Sequence, residues 1–116
     1  SLPMENHRLV LPEHLNQFGF LFGGYLLKWV DEMAWMAATL DYPDCLFVTA
    51  GMNEVSFRKS VQGGSILRFE THQMQVGTTS LTYCVKALRK SEVIFTTHVT
   101  LVRINQSGGK QTLPKA

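Results

Sequence analysis

Apolar residues change their spacing once along this chain, and the change divides it into two kinds of segment. From Gly24 to about Leu40 they recur at both helical intervals: Leu26, Leu27, Trp29, Val30, Met33, Ala34, Trp35, Met36, Ala37 and Ala38 leave almost no polar stripe. Such a helix is expected to be covered on most sides. After "DYPDC" the pattern turns strand-like and stays so to Ile104. The runs "LFVTAGMNEVSFRK", "SILRFETHQMQV", "SLTYCVKALRK" and "EVIFTTHVTLVRI" read as long strands, punctuated at Gly63-Gly64, Gly77-Thr78 and Lys90-Ser91. Three hairpin-like connections are expected to join them. In the second run the inward set passes from Leu67, Phe69 and Thr71 to Met74 and Val76, a parity change that predicts a bulge near His72. Ahead of the helix, "ENHRLVLP" alternates Leu9 and Leu11 with Arg8 and Val10 and stops at Pro12, a short first strand. The ending "NQSGGKQTLPKA" is a turn and tail.

A strand, one long helix and four antiparallel strands make an α+β chain in which a sheet of about five strands wraps one central helix. A sheet face covers one side of a helix, and a helix apolar all round needs a second cover, which a second copy of the chain supplies. The order of elements is similar to that of the hot-dog fold, so a homodimer or a higher assembly of dimers is expected. Residues 1–116 are read as one domain, a length suited to a single core.

Composition narrows the partners. The chain is 45% apolar and 17% charged, with Lys and Arg numbering 11 against 9 for Asp and Glu. A net charge of +2, with no basic block longer than Arg58-Lys59, gives no footprint for a nucleic acid backbone. Cys45 and Cys84 stand alone, without ligand spacing, and read as two reduced, buried thiols. His7, His14, His72 and His98 are scattered, and no pair has helical ligand spacing, so no metal site is expected. Ser80 lacks a GxSxG elbow, and Gly63-Gly64 and Gly108-Gly109 precede no helix, so they read as hairpin turns. No signal sequence opens the chain and no apolar run approaches the ~20 residues of a membrane helix, which reads as a cytoplasmic protein without membrane contact.

One stretch carries chemistry. In "LNQFGFLFGGYLLKWVDEMAWMAA" a glycine-bearing loop becomes the apolar helix, and that helix still holds Asp31 and Glu32. Gly23-Gly24 lets a backbone approach a ligand closely, and free N–H groups at a helix start stabilise developing negative charge. Asp31 lies eight residues past Gly23, ~12 Å at ~1.5 Å per residue, so one carbonyl cannot meet both in a single chain. Two antiparallel helices from two copies bring them together. The competing reading is a surface ion pair: Lys28 precedes Asp31 by three residues and Glu32 by four. Glu32 is assigned to that pair. For Asp31 the residues alone weigh ion pair and catalyst evenly.

"NQFGFLFGGYLLKWVDE" resembles the signature N-x-x-G-x-[LIV]-[FH]-G-G-x-x-[LM]-x-x-[MIV]-[DE] of hot-dog acyl-coenzyme A thioesterases. "MNEVSFRKSV", "VGTTS" and "GGKQTLP" follow in the family's order, so the resemblance runs from about Pro12 to Pro114. It implies hydrolysis of acyl-CoA to the free acid and coenzyme A, with Asp31 as general base or nucleophile. It places Asn16 near the thioester with the attacking water, and makes the N–H of Gly23 or Gly24 the donor to the thioester carbonyl. Coenzyme A, part of the substrate and no separate cofactor, is expected along Phe57, Lys59, with Arg58 as the weaker phosphate candidate, and the turn Gly77, Thr78, Thr79 and Ser80. Because neighbouring residues of a strand face opposite ways, one of Arg58 and Lys59 at most is expected at a phosphate. Phe20, Ser60 and Thr78 stand where Asp, Pro and a basic residue are common. Two other functions fit the resemblance less closely: an acyl-CoA-binding protein without turnover, and a hydratase, whose histidine this helix lacks.

Overall fold

The computed structural model describes residues 2–115; Ser1 and Ala116, the ends of the expected domain span, lie outside the described residues. The regular elements are β1 (Met4–Leu9), α1 (Gly23–Asp41), β2 (Leu46–Phe57), β3 (Ile66–Val76), β4 (Ser80–Arg89) and β5 (Glu92–Ile104). The strands form one antiparallel sheet in the order β1-β3-β4-β5-β2. One helix across one face of that sheet is the hot-dog arrangement. Among the described residues no helix is long and apolar enough to cross a membrane.

Side-chain size decides how α1 sits. Ala34, Ala37 and Ala38 are buried and let the helix approach the sheet, while Leu26, Trp29, Val30 and Met33 fill the space around them. Leu67, Phe69, Leu81, Val85, Phe95, Val99 and Leu101 meet them from the strands, all fully withdrawn from water. Each such side chain stabilises by ~1.5–3 kcal/mol, so the inward face of the helix is strongly specified. A narrow stripe stays uncovered in one copy. Gly24, Lys28 and Trp35 are exposed and Asp31 is half-buried, at spacings of four, three and four along one helix face. Leu40, near the end of the helix, is 71% exposed.

Four expectations are corrected. β2 pairs with β5, and β4 and β5 separate it from β3, so residues 58–65 cross the end of the sheet and are no hairpin. Gly63-Gly64 turns there against the exit of β1, where Gly64 N–H donates to Val10 O at 2.8 Å and Val10 N–H to Ser65 O at 2.9 Å. Alternation identifies a strand without naming its neighbour, which long-range burial selects. On β1 the inward residues are Met4, Asn6 and Arg8, followed by buried Val10, while Leu9 is half exposed. The polar Arg8 is inside because it reaches Glu32 on the helix. The β3 bulge falls between Gln73 and Gln75, beyond His72, and both Met74 and Val76 are exposed in one copy. The helix–strand core ends before them. The helix itself is one residue longer at each end than its apolar pattern, because the pattern does not register glycine and a terminal Asp.

The edge strand β2 is irregular. Register shifts between Thr49 and Gly51 and between Asn53 and Ser56 change its parity twice, with Glu54 at φ 55° inside the second. Phe47 and Thr49, ahead of the first shift, oppose Arg103 and Leu101; Met52, after it, opposes Val99, and Phe57, after the second, opposes Phe95.

Candidate active site

The loop before α1 is organised by Asn16. Its Oδ1 accepts the backbone N–H groups of Phe18 at 2.9 Å and Phe20 at 3.1 Å, and its own N–H donates to Phe20 O at 2.7 Å. Gly19, at φ 83°, makes the reversal that brings Leu21 back beside Leu15. With the oxygen engaged, the side-chain NH2 is what Asn16 offers to the cavity it lines. That cavity, about 340 Å³, also has Phe20, Gly23, Phe57, Arg58 and Lys59 on its walls.

At its rim α1 begins without a side-chain cap. Phe22 is extended at φ −67° and ψ 130°, and its carbonyl accepts the N–H groups of Tyr25 at 3.0 Å and Leu26 at 3.4 Å. The N–H groups of Gly23 and Gly24 have no backbone acceptor among the described residues. The Gly23 N–H and the positive end of the helix dipole thus share the Asn16 cavity, and the Gly24 N–H follows one residue further along the helix. A Cβ on Gly24 would stand 2.6 Å from the Phe22 ring, whereas one on Gly23 would reach ordinary contact with Phe57 at 3.5 Å.

Two turns further on, Asp31 occupies a different cavity, about 370 Å³, with Arg8, Glu32, Trp35, Met36 and Thr49. Thr49 Oγ1 donates to Asp31 Oδ1 at 2.5 Å, a short bond of the kind a charged acceptor forms. Sequence reasoning missed Thr49. Its side chain lies on the face of buried Phe47, two residues earlier in unbroken register, but nothing along the chain says that Asp31 stands opposite it. The expected pairing with Lys28 is corrected: Glu32 binds Arg8 Nη2 at 3.2 Å, and no ion pair of Lys28 occurs among the described residues. Arg8 also lies over the Trp29 ring, 5.4 Å from its centroid, which holds the guanidinium on the inner side of β1. Both ends of the Arg8–Glu32 pair are about two-fifths exposed, so it adds little stability.

One chain thus brings Asn16, Gly23, Phe57, Arg58 and Lys59 to one cavity and Asp31 to another. Arg58 and Lys59 both line the first, which corrects the opposite-face expectation: β2 ends at Phe57, so strand alternation no longer applies to them. Lys59 Nζ is 3.7 Å from Glu92 on an exposed surface. The Gly77–Ser80 turn is at the other end of the sheet. Ser80 pairs with Val102 and Phe57 with Phe95, seven residues apart on β5 or ~23 Å. Its loop carbonyls are taken on both sides, Thr78 O by Leu113 N–H of the C-terminal segment and Thr79 O by Arg103 N–H of β5.

His14 is engaged elsewhere and the two thiols are buried. His14 Nδ1 accepts Leu11 N–H at 3.0 Å, and its ring packs on Tyr25 and Trp29. Cys45 and Cys84 are free and buried. Burial raises the Cys84 thiol above its usual range, only partly countered by Lys86, so it is a poor thiolate. Among the described residues no three His, Cys, Asp or Glu are grouped to hold a metal ion.

Residues 18–96, which contain the loop, α1 and most of the sheet, match the family profile of the thioesterase superfamily. The chain belongs to the thioesterase superfamily. A superfamily relative, the uncharacterised acyl-CoA thioester hydrolase YkhA of Bacillus subtilis strain 168, is 28% identical over 114 residues, 91% of this chain. The chain spans 64% of that relative's length. Among solved structures, the acyl-CoA hydrolase of Staphylococcus aureus in complex with butyryl coenzyme A, coenzyme A and coenzyme A disulfide is 25% identical at TM-score 0.88, over 97% of this chain and 71% of that one. An apo-hexameric acyl-CoA thioesterase is 30% identical at TM-score 0.86, over 97% and 75%. For a member of the thioesterase superfamily, a loop asparagine, an uncapped helix start and a bonded carboxylate are the parts that thioester chemistry can use.

Proposed function

We propose that the chain is an acyl-CoA thioesterase, releasing a free acid and coenzyme A, and that its working unit is a dimer with two composite sites. Each site takes Asp31 and Thr49 from one copy and Asn16 with the Gly23-Gly24 helix start from the other. The observation that carries this reading is the division of the machinery. The donors and the carboxylate belong to one helix, yet they open into two cavities, and ~12 Å of helix separates them. Two copies of α1 laid antiparallel along the stripe of Gly24, Lys28, Asp31 and Trp35 set each helix start against the other's Asp31. The open edge of β2, beside Thr49, can extend the sheet between copies.

The chemistry follows from charge. Attack on the thioester carbonyl places negative charge on its oxygen, which the free N–H of Gly23 or Gly24 and the helix dipole stabilise. Asp31, held by Thr49, drives the attack, as base toward a water that the Asn16 amide orients or as the nucleophile itself. The thiolate of coenzyme A leaves and takes up a proton. In this reading Lys59 and Arg58 at the cavity rim meet phosphate and Phe57 lies beside the pantetheine, which their shared cavity with Asn16 supports. The turn from Gly77 to Ser80 is too distant to join them within one chain and serves the nucleotide only across a subunit boundary. Coenzyme A is substrate, and no further cofactor enters. A hexamer, the state of the 30%-identical relative, is three such dimers.

A thiol reagent that reports free coenzyme A tests the reading on acyl-CoA of graded length, from butyryl to palmitoyl. Release of thiol at enzymatic rates is expected. Acyl-CoA that binds and is not turned over would leave a non-catalytic binding protein instead.

A further inference from the structure

Along the flank of α1 next to the Asp31 cavity, helix and strand keep step. Inner residues of β1, Arg8, Asn6 and Met4, come every ~6.6 Å, and Glu32, Met36 and Leu40 on the helix every ~6 Å. Arg8 meets Glu32 at one end, and Met4 and Leu40 share a cavity of about 190 Å³ at the other. Asn6 and Met36 fall between. This strip starts at Asp31 beside the Arg8–Glu32 pair, and Met36, Ala37, Leu40 and Met4 line it with apolar surface, with the polar Asn6 between.

Its far end is not apolar. Thr71 is 1% exposed, lines that cavity, and its Oγ1 has no hydrogen-bond partner. Tyr83, equally buried, donates its hydroxyl to Asp41 Oδ2 at 2.6 Å on the same wall, and Gln73 stands next to them. Burial first, and then the bond to Asp41, raise the Tyr83 hydroxyl above its ordinary range, so it remains a donor. Midway along the strip Asn6 Oδ1 is also buried without a partner. An unpaired buried hydroxyl costs ~1–3 kcal/mol, which valine, of nearly the same shape, would avoid at position 71.

We infer that the strip holds the acyl chain of the substrate and that its far end, Thr71 with Gln73 and the Tyr83–Asp41 pair, selects acyl groups that end in a hydroxyl. This rests on the acyl-CoA reading of Asp31 and names the class of acyl group taken. A terminal hydroxyl accepts from Thr71 and donates to the Asp41 carboxylate; a terminal methyl does neither and leaves Thr71 unpaired. From Asp31 to Asp41 the helix advances ~15 Å, so a medium-length chain reaches the polar end and a short one stops before it.

The test compares dodecanoyl-CoA with ω-hydroxydodecanoyl-CoA, and hexanoyl-CoA with ω-hydroxyhexanoyl-CoA, by thiol release. Wild-type kcat/KM is expected to favour the hydroxylated dodecanoyl substrate by about tenfold or more, and to treat the hexanoyl pair alike. Thr71→Val is expected to remove the preference, and Thr71→Ser, which keeps the hydroxyl, to retain it. Equal rates on the dodecanoyl pair overturn the inference without recourse to any variant. So does a Thr71→Val protein that melts like wild type and still discriminates. Thiol release without discrimination removes this inference alone; no release from any acyl-CoA removes the thioesterase reading with it.

Discussion

The start of α1 and its middle are two designs on one helix. At the start, glycines replace side chains, the cap is absent, and the neighbouring Asn16 spends its oxygen on its own loop; everything left over is an N–H donor. In the middle, Asp31 is an acceptor, bonded by a threonine from the edge strand and walled by Trp35 and Met36. A thioester needs both kinds of group at one carbon, and the helix holds them ~12 Å apart. The difference teaches that one helix can carry a donor end and an acceptor middle too far apart to meet at one carbon, which is why the proposed site joins two copies.

Removing the acceptor half tests the contrast most severely. Asp31→Asn keeps shape and removes charge, and kcat is expected to fall by roughly 10²–10⁴-fold while the melting curve stays close to wild type. Glu32→Gln, which loses only a half-exposed pair with Arg8, should keep most of the activity. If Glu32→Gln proved the more damaging change, the carboxylate would be misassigned.

Mixing broken halves comes next. Asp31→Ala chains lack the acceptor, and Gly24→Pro chains lack a helix-start donor at a position where proline costs no helical hydrogen bond. Each alone should be nearly inactive. After subunit exchange at equal amounts about a quarter of wild-type activity should return, since half of the dimers are mixed and each of those has one intact site. A mixture as inactive as its parents would place donor and acceptor in the same chain.

Smaller effects separate support from chemistry. Thr49→Val removes one hydrogen bond to a charged acceptor, a loss on the order of 1.5–3 kcal/mol, so kcat should drop by roughly 10–100-fold with KM little changed. A wild-type rate in Thr49→Val would reduce that 2.5 Å bond to packing. Lys59→Ala should raise KM for acyl-CoA a few-fold and scarcely affect a truncated acyl-pantetheine thioester that has no nucleotide. Equal losses on both substrates would take Lys59 away from the phosphates.

How much of this could be read beforehand follows from the range of each interaction. The extent of α1, the strand runs, the glycine loop and the Asn16-to-Asp31 spacing were legible in the linear chain, because helix period, strand alternation and glycine punctuation are local properties. The inner face of β1 was not, since Arg8 turns inward only to meet Glu32 and Trp29, far along the sequence. Nor was Lys28 a sound guide to Glu32: spacing along a helix shows which groups can pair, and a competing arginine from another element wins once the fold brings it close.

By itself, then, the sequence determined which residues form the helix, that this helix is too apolar for one sheet face, and that Gly23 and Asp31 stand ~12 Å apart along it. Only tertiary structure decided that β2 lies beside β5, that Thr49 of β2 stands opposite Asp31, that Arg58 and Lys59 share a cavity with Asn16, and that the Gly77–Ser80 turn lies at the opposite end of the sheet. The physical reason is the same in each case. Strand pairing and side-chain direction past a bulge depend on which distant surfaces are buried together, and no period along the chain encodes that choice.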